Sequence, residues 1–161
     1  NMICECKSYK DIEFLRSDIK ERIKETKKLK KELVLLVKSE DKEHQLYKCP
    51  LCNQMWQLAR AWVNGNEPYL FKIPSTSEID WLKERFQDPD ELLDYIINID
   101  QYAYLPKGEN KCMVSECNKK VIAGLLLCHQ HHVANLQNIK RCPKFPFGKQ
   151  FLPYQVSKYE L

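Results

Sequence analysis

Glycine is scarce in this chain, with four in 161 residues, and the longest uninterrupted apolar run, Leu33 to Val37, is five residues. The first shortage argues against a low-complexity segment or a flexible linker. The second falls far below the ~20 apolar residues that a helix needs to cross a bilayer. No charged-then-apolar leader opens the sequence, so a cytoplasmic protein is the expectation. Asn1 ahead of Met2 reads as the remnant of an expression tag, which makes Met2 the expected natural start. Several catalytic signatures are also missing. There is no glycine-rich phosphate loop, no Ser-His-Asp set and no defensible carboxylate pair, and the His-x-Glu and Pro-Cys-x-x-Cys motifs of a zinc deaminase are absent. An enzyme is not expected, and no residue is assigned a catalytic role.

Cysteine, by contrast, is abundant: the chain holds eight. Disulfides and metal thiolates both explain such a number, and spacing separates them. The cysteines fall as Cys4-x-Cys6, Cys49-x2-Cys52, Cys112-x4-Cys117 and Cys128 followed by His131, with Cys142 left over. A short turn aims two thiolates at one ion but strains a direct bridge between them. Two zinc ions, each with four protein ligands, are therefore expected. One is built from Cys112, Cys117, Cys128 and His131, with His132 as the alternative fourth ligand. The other uses Cys4, Cys6, Cys49 and Cys52. Cys128 and His131, at i and i+3, would share a first helical turn, where the helix dipole favours thiolate. The Cys49-Pro-Leu-Cys52 pair does not read as a redox couple, because the following residues continue as a strand rather than a helix.

Charge is uneven within a formal total of +4. Residues 1–48 carry 13 basic and 10 acidic groups, residues 49–106 carry 4 and 9, and residues 107–161 carry 9 and 3. Thiolate coordination would remove most of the net positive charge, which weakens any nucleic-acid argument made from pI alone.

Periodicity gives an α+β fold with a small antiparallel sheet and flanking helices. Ile12, Leu15, Ile19 and Ile23 mark an amphipathic helix over 10–30. That helix must end near Lys28, because an unbroken helix to residue 38 would run about 43 Å and hold the N-terminal cysteine pairs apart. Residues 32–38 and 45–48 read as paired strands. Met55 to Val63 and Tyr69 to Ile73 flank Asn64-Gly65 as a hairpin, with Trp56, Leu58, Trp62, Tyr69, Phe71 and Ile73 as candidate core. Two short helices follow. The first is capped near Ser75–Ser77 and buries Ile79, Leu82 and Phe86; the second is opened by Asp88-Pro89 and buries Leu92, Leu93, Ile96 and Ile97. Pro106 and Gly108 mark a boundary between a body over 2–105 and a zinc-finger module with a C-terminal arm over 106–161.

Within residues 110–140, a knuckle, a hairpin and a helix start occur in the order Cys112-x4-Cys117, Gly124, Cys128-x2-His131. This segment resembles treble-clef-like zinc fingers, which implies a structural zinc. It is similar in outline to the HNH-type nucleases built on that fold, with His131, His132 and Asn135 inviting the comparison. Here, though, the histidines compete for the same ion, and no further downstream histidine completes a catalytic cluster. Cys52-x3-Trp56 resembles, over a short stretch, small bacterial immunity proteins that mask toxins, and the Lys- and Ile-rich usage suits a low-GC bacterium.

Two functions are consistent with these features. The first is a non-enzymatic, zinc-stabilised protein-interaction module, of immunity type, in which Glu78, Asp80, Glu84, Asp88, Asp90, Glu91 and Asp94 meet a basic protein partner. The alternative is a regulatory nucleic-acid-binding zinc-finger protein that uses Lys119, Lys120, Lys140 and Arg141. Against the alternative, Phe145, Phe147, Phe151, Tyr154 and Tyr159, spaced by prolines, read as an arm packed on the body or on a partner.

Overall fold

Strands of alternating and near-continuous apolar character assemble into an antiparallel meander in the computed structural model, which describes residues 3–155. The elements in chain order are α1 (Arg16–Glu32), β1 (Val34–Lys38), β2 (Gln45–Lys48), β3 (Met55–Ala61), β4 (Glu67–Ile73), α2 (Glu78–Lys83), α3 (Pro89–Ala103), β5 (Lys107–Lys111), β6 (Lys120–Ile122) and α4 (His129–Asn138). The architecture is mixed α+β. It has a four-stranded sheet in the order β1-β2-β3-β4 and a two-stranded sheet β5-β6. The described residues divide into two units, 3–93 with 147–155, and 94–146. This division falls inside α3.

In the first unit, strand register sorts the core into two layers. Tyr47 lies opposite Trp56, and Leu58 opposite Leu70. These four cluster with Leu29 and Leu33 of the α1 segment and with Cys6 and Cys49. The alternate positions, Met55 opposite Ile73, Gln57 opposite Phe71 and Ala59 opposite Tyr69, are equally buried. On that second face Phe71 stacks on Phe151 at 6.1 Å, and Phe86 meets Phe151 edge-on at 5.1 Å. A strand covered on both sides needs an inward residue at every position, and β3 has one at all but Arg60. Trp62, expected in the core, instead falls in a single 3-10 turn after β3 and is 56% exposed.

Helix α1 begins and ends later than its apolar spacing predicts. Ile12 precedes it and Leu15 is its exposed N-cap, while Ile19, Arg22, Thr26 and Leu29 are its buried face. The polar pair is there for a reason. Leu70 on β4 donates its N–H to Thr26 Oγ1 at 3.0 Å, and its carbonyl accepts from Arg22 Nη1 at 2.9 Å. Side chains of α1 therefore satisfy backbone groups on the outer edge of β4, where no further strand pairs. The helix reaches Glu32, and β1 starts two residues later, so the chain reverses at Leu33 and brings residue 49 back toward the N-terminus.

The α2 face differs from the expected one. Ser77 caps the helix, its side chain accepting from the Asp80 N–H at 3.1 Å, but Ile79 and Leu82 are exposed at 68% and 49% and Trp81 is buried. One and a half turns offer a single inward position. Trp81 takes it, because its ring is the largest available and its indole N–H finds Gln57 Oε1 at 2.8 Å. Helix α3 is longer than expected, at 15 residues, and it buries Leu92, Leu93 and Ile99 while Ile96 and Ile97 are half-buried.

The second unit has a small apolar centre. Ile99, Val133 and Cys142 are its buried members, joined by Tyr95, Tyr102 and Leu136. Strands β5 and β6 pair antiparallel with Lys111 opposite Lys120. Helix α4 then starts after Cys128, its N-cap, and closes with Lys140 at φ 60° and Arg141 N–H donating to the Leu136 carbonyl at 2.8 Å. Of the aromatic arm, Phe145 packs on Tyr95 in this unit. Phe151 and Tyr154 are buried in the first unit, Phe147 is exposed, and Tyr159 lies outside the described residues.

Candidate metal centres

Each centre is built on a knuckle whose backbone is shaped before any ion is considered. In the first, Cys49 donates its N–H to the Gln54 carbonyl at 2.8 Å and Asn53 donates to the Cys49 carbonyl at 3.0 Å. Asn53 sits at φ 64°, a left-handed conformation that asparagine tolerates better than most residues. In the second, Cys112 donates to the Lys119 carbonyl at 2.9 Å and Cys117 to the Val114 carbonyl at 3.1 Å, with Glu116 at φ 66°. These turns point amide N–H groups at sulfur. Leu51 and Cys52 supply them to Cys49, Gln54 to Cys52, Val114 and Cys128 to Cys112, and Lys119 to Cys117.

The ligand sets close as expected. The sulfurs of Cys4, Cys6, Cys49 and Cys52 lie within 4.8 Å of one another, as do those of Cys112, Cys117 and Cys128 with a ring nitrogen of His131. All eight cysteines are free thiols. His131 presents Nδ1, which is 3.4 Å from Cys112 Sγ and 3.3 Å from Cys128 Sγ, and Cys117 Sγ is 3.9 Å from Cys128 Sγ. A tetrahedron with Zn–S of about 2.3 Å and Zn–N of about 2.05 Å has edges of about 3.8 Å between sulfurs and about 3.5 Å from sulfur to nitrogen. The observed distances fit an ion of that size and are far too long for a disulfide. His132, the alternative ligand, instead sets its ring edge-on to Tyr102 at 5.4 Å. Both clusters can hold a metal ion, and their donor sets suit zinc.

Thiol electrostatics agree with that use. Burial pushes Cys49 up, but the Cys52 and Leu51 amides and the neighbouring sulfurs outweigh it and bring the thiol down to about 7. Desolvation likewise opposes ionisation of Cys112, and the Val114 and Cys128 amides, with His131 and Cys128 Sγ, bring it to about 6. Their neighbours move the other way. Burial raises Cys6, against the Trp56 indole, which has no nitrogen or oxygen partner of its own. Burial and the adjacent Cys4 and Cys49 sulfurs raise Cys52 despite the Gln54 amide. At Cys117 the Lys119 amide pulls down but is outweighed by desolvation and the sulfurs of Cys112 and Cys128. Crowded thiols cannot all ionise side by side without a cation among them, so each set is poised to exchange protons for one.

The acidic middle of the chain is only partly an exposed patch: Glu78, Asp80 and Glu84 are exposed, and Glu91 and Asp94 are half-buried. Asp88 and Asp90 are buried. His44 Nε2 meets Asp88 Oδ2 at 2.6 Å, and Gln57 Nε2 donates to Asp88 Oδ1 and to the Phe86 carbonyl, each at 2.9 Å. Tyr69 Oη donates to Asp90 Oδ1, and Trp62 N–H donates to Asp90 Oδ2 at 3.2 Å. Burial raises Asp90 to about 7, against the Tyr69 bond. This network was missed in the sequence. Its one signal is Gln57, a polar residue at an inward position of a strand buried on both faces.

The basic residues proposed for nucleic acid lie apart along the second unit. Lys119 donates to Gln130 Oε1 at 2.9 Å beside the metal cluster, and Lys120 is exposed on β6. Lys140 and Arg141 follow α4 and line, with Lys144 and Asp94, a cleft of about 540 Å³. Asn135 is exposed, and His129 bonds the Leu105 carbonyl at 2.7 Å, so His131, His132 and Asn135 do not converge with a further histidine. No helix among the described residues is long and apolar enough to cross a membrane. No protein-family model, curated protein or solved structure matches the chain.

Proposed function

We propose that this chain is a non-enzymatic protein-interaction module stabilised by two structural zinc ions, acting in a reducing, cytoplasmic setting. The observation that carries the reading is the pair of four-donor clusters. Each supplies a full tetrahedral set from protein side chains, which suits a structural ion rather than one with an open catalytic position. The interaction surface is α2, where Ile79 and Leu82 stand exposed among Glu78, Asp80 and Glu84. Apolar side chains beside three carboxylates, with Lys83 the one basic residue of the helix, suit a basic protein partner with an apolar centre, the arrangement a masking, immunity-type protein needs.

The test combines elemental analysis with native mass spectrometry of a captured complex. Two zinc ions per chain are expected, together with a stoichiometric complex that is lost in the Ile79→Ser/Leu82→Ser double variant while its zinc content stays at two. A metal-free chain, or a complex indifferent to the double variant, would remove the reading. The cleft lined by Lys140, Arg141 and Lys144 favours a second reading, nucleic-acid binding. That reading requires affinity for a duplex or single strand whose logarithm falls steeply with log salt.

A further inference from the structure

The two centres differ in which edge of the ligand tetrahedron reaches solvent. In the N-terminal set Cys52 is exposed and Cys4 half-buried, whereas Cys6 and Cys49 are buried. The Cys52 sulfur is within hydrogen-bond reach of Cys4, Cys49 and Cys6, and of these three Cys4 is the one that is not buried. One solvent-reachable sulfur therefore has another beside it. The C-terminal set lacks such an edge. Cys112 and Cys128 are buried, and the two half-buried members are Cys117 and His131, whose imidazole cannot enter a disulfide. Oxidising bound thiolates to a disulfide requires an attacked sulfur that an oxidant can reach and a second sulfur free to resolve it. The Cys4–Cys52 edge is the one pair among these eight ligands in which both sulfurs reach solvent, and Cys52 is the one fully exposed cysteine of the two sets.

We propose that the N-terminal centre is a peroxide-responsive metal-release site, in which Cys52 is oxidised and Cys4 closes a disulfide onto it. This rests on the zinc reading above. The Cys52 thiolate attacks the peroxide O–O bond and becomes a sulfenic acid as hydroxide leaves and is protonated to water. The Cys4 thiolate then attacks the Cys52 sulfur, the S–S bond forms, and the second hydroxide leaves as water. Two thiolates have lost two electrons, peroxide has gained them, and two protons come from solvent. The ion, left with two sulfur ligands, dissociates. Cys49 is the less suitable resolving thiol, because it is 2% exposed and its sulfur accepts the Leu51 and Cys52 amides. The new bond keeps the N-terminal segment tied to the knuckle, so release of the ion does not release the chain. Cys6 and Cys49 stay within the cluster of Tyr47, Trp56, Leu58 and Leu70.

The experiment treats the full two-zinc chain with graded hydrogen peroxide. It follows zinc with a chromogenic chelator and native mass spectrometry, and maps the cysteines by alkylation and peptide analysis. The first zinc is expected to leave at least about tenfold faster than the second. The one-zinc species should be two hydrogens lighter than the reduced chain and carry a Cys4–Cys52 crosslink, and a dithiol reductant with added zinc should restore the two-zinc form. Faster loss from the Cys112 centre, loss from both at one rate, or a first crosslink through Cys49 or Cys6 overturns the proposal while leaving the zinc reading in place. A chain that holds no zinc before oxidant is added removes both.

Discussion

The two metal centres use nearly the same donors for different structural work. The N-terminal set closes a loop from residue 4 to residue 52 onto a core that already exists: Cys6 and Cys49 join a cluster with Leu29, Leu33, Tyr47, Trp56, Leu58 and Leu70. The C-terminal set lies within residues 112 to 131, in a unit whose apolar cluster has three buried members, Ile99, Val133 and Cys142, with Val121 and Ile122 buried on β6. In the first unit an ion would fasten the segment around residue 4 to a sheet that hydrophobic burial holds together. In the second it would organise strands and a helix that have little apolar surface with which to order themselves. The contrast shows that ligand count does not reveal how much of a fold an ion supports, whereas the core beside it does.

Stripping both ions with a high-affinity chelator should separate the two units most clearly. Structural zinc contributes apparent binding energies of about 10–16 kcal/mol in finger-sized modules. Amide exchange should therefore rise to near-unprotected rates across β5, β6 and the start of α4, while β3 and β4 stay protected. Loss of protection in β3 and β4 at the same chelator concentration would break the comparison. The same division should appear in single variants. Cys128→Ser is expected to remove one zinc and the protection of residues 107–138, whereas Cys4→Ser should remove one zinc and leave the sheet protected.

If the first unit stands on its interior, interior substitutions should damage it where metal loss does not. Gln57 bonds Trp81 Nε1, the Phe86 N–H and carbonyl, and Asp88 Oδ1. Gln57→Leu leaves these buried groups without that partner and should cost about 3–5 kcal/mol in urea unfolding of the zinc-loaded chain. A loss below 1 kcal/mol would mean that the network tolerates rearrangement.

The buried acid supplies a pH signature of opposite sign to metal loss. Asp90 is raised from an ordinary 3.8 to about 7, chiefly by burial, so the folded state binds this proton more tightly than the unfolded chain. Stability from this group is complete below about pH 4 and is lost as pH rises through about 7, a change of about 4 kcal/mol. Thiolate ligands act the other way, since they release metal as pH falls. The difference in urea midpoint between wild type and Asp90→Asn isolates the acid. The variant should gain relative to wild type between about pH 4 and pH 7, less the lost acceptor for Trp62 N–H, and a difference independent of pH would contradict the assignment. The smallest effect belongs to the exposed face. Ile79→Ser should change stability by no more than about 0.5 kcal/mol, in contrast to any substitution of its buried neighbour Trp81.

The strands and the ligand sets were legible in the sequence because they rest on local patterns. Residues 45–48 are a strand as read, and the spacing of Cys112, Cys117, Cys128 and His131 brings the residues together as proposed. Direction was harder to read. Ile79 and Leu82 looked inward by helical spacing, yet Trp81 won the single inward position through its ring size and its bond to Gln57, a residue 24 positions away in the chain. Asp88 and Asp90 read as a helix start and a surface charge because nothing nearby in sequence announces His44 and Tyr69 as their partners.

By itself the sequence determined which residues could bind a metal, since a thiolate pair two to five positions apart is a property of a turn. It also determined that helices and antiparallel strands would alternate with them, since apolar period is a property of a segment. Tertiary structure alone decided that residue 4 meets residue 52, that His131 rather than His132 completes the second set, and that two aspartates belong to the interior. Those outcomes depend on groups brought together across long stretches of chain, where burial and hydrogen-bond satisfaction outweigh local preference.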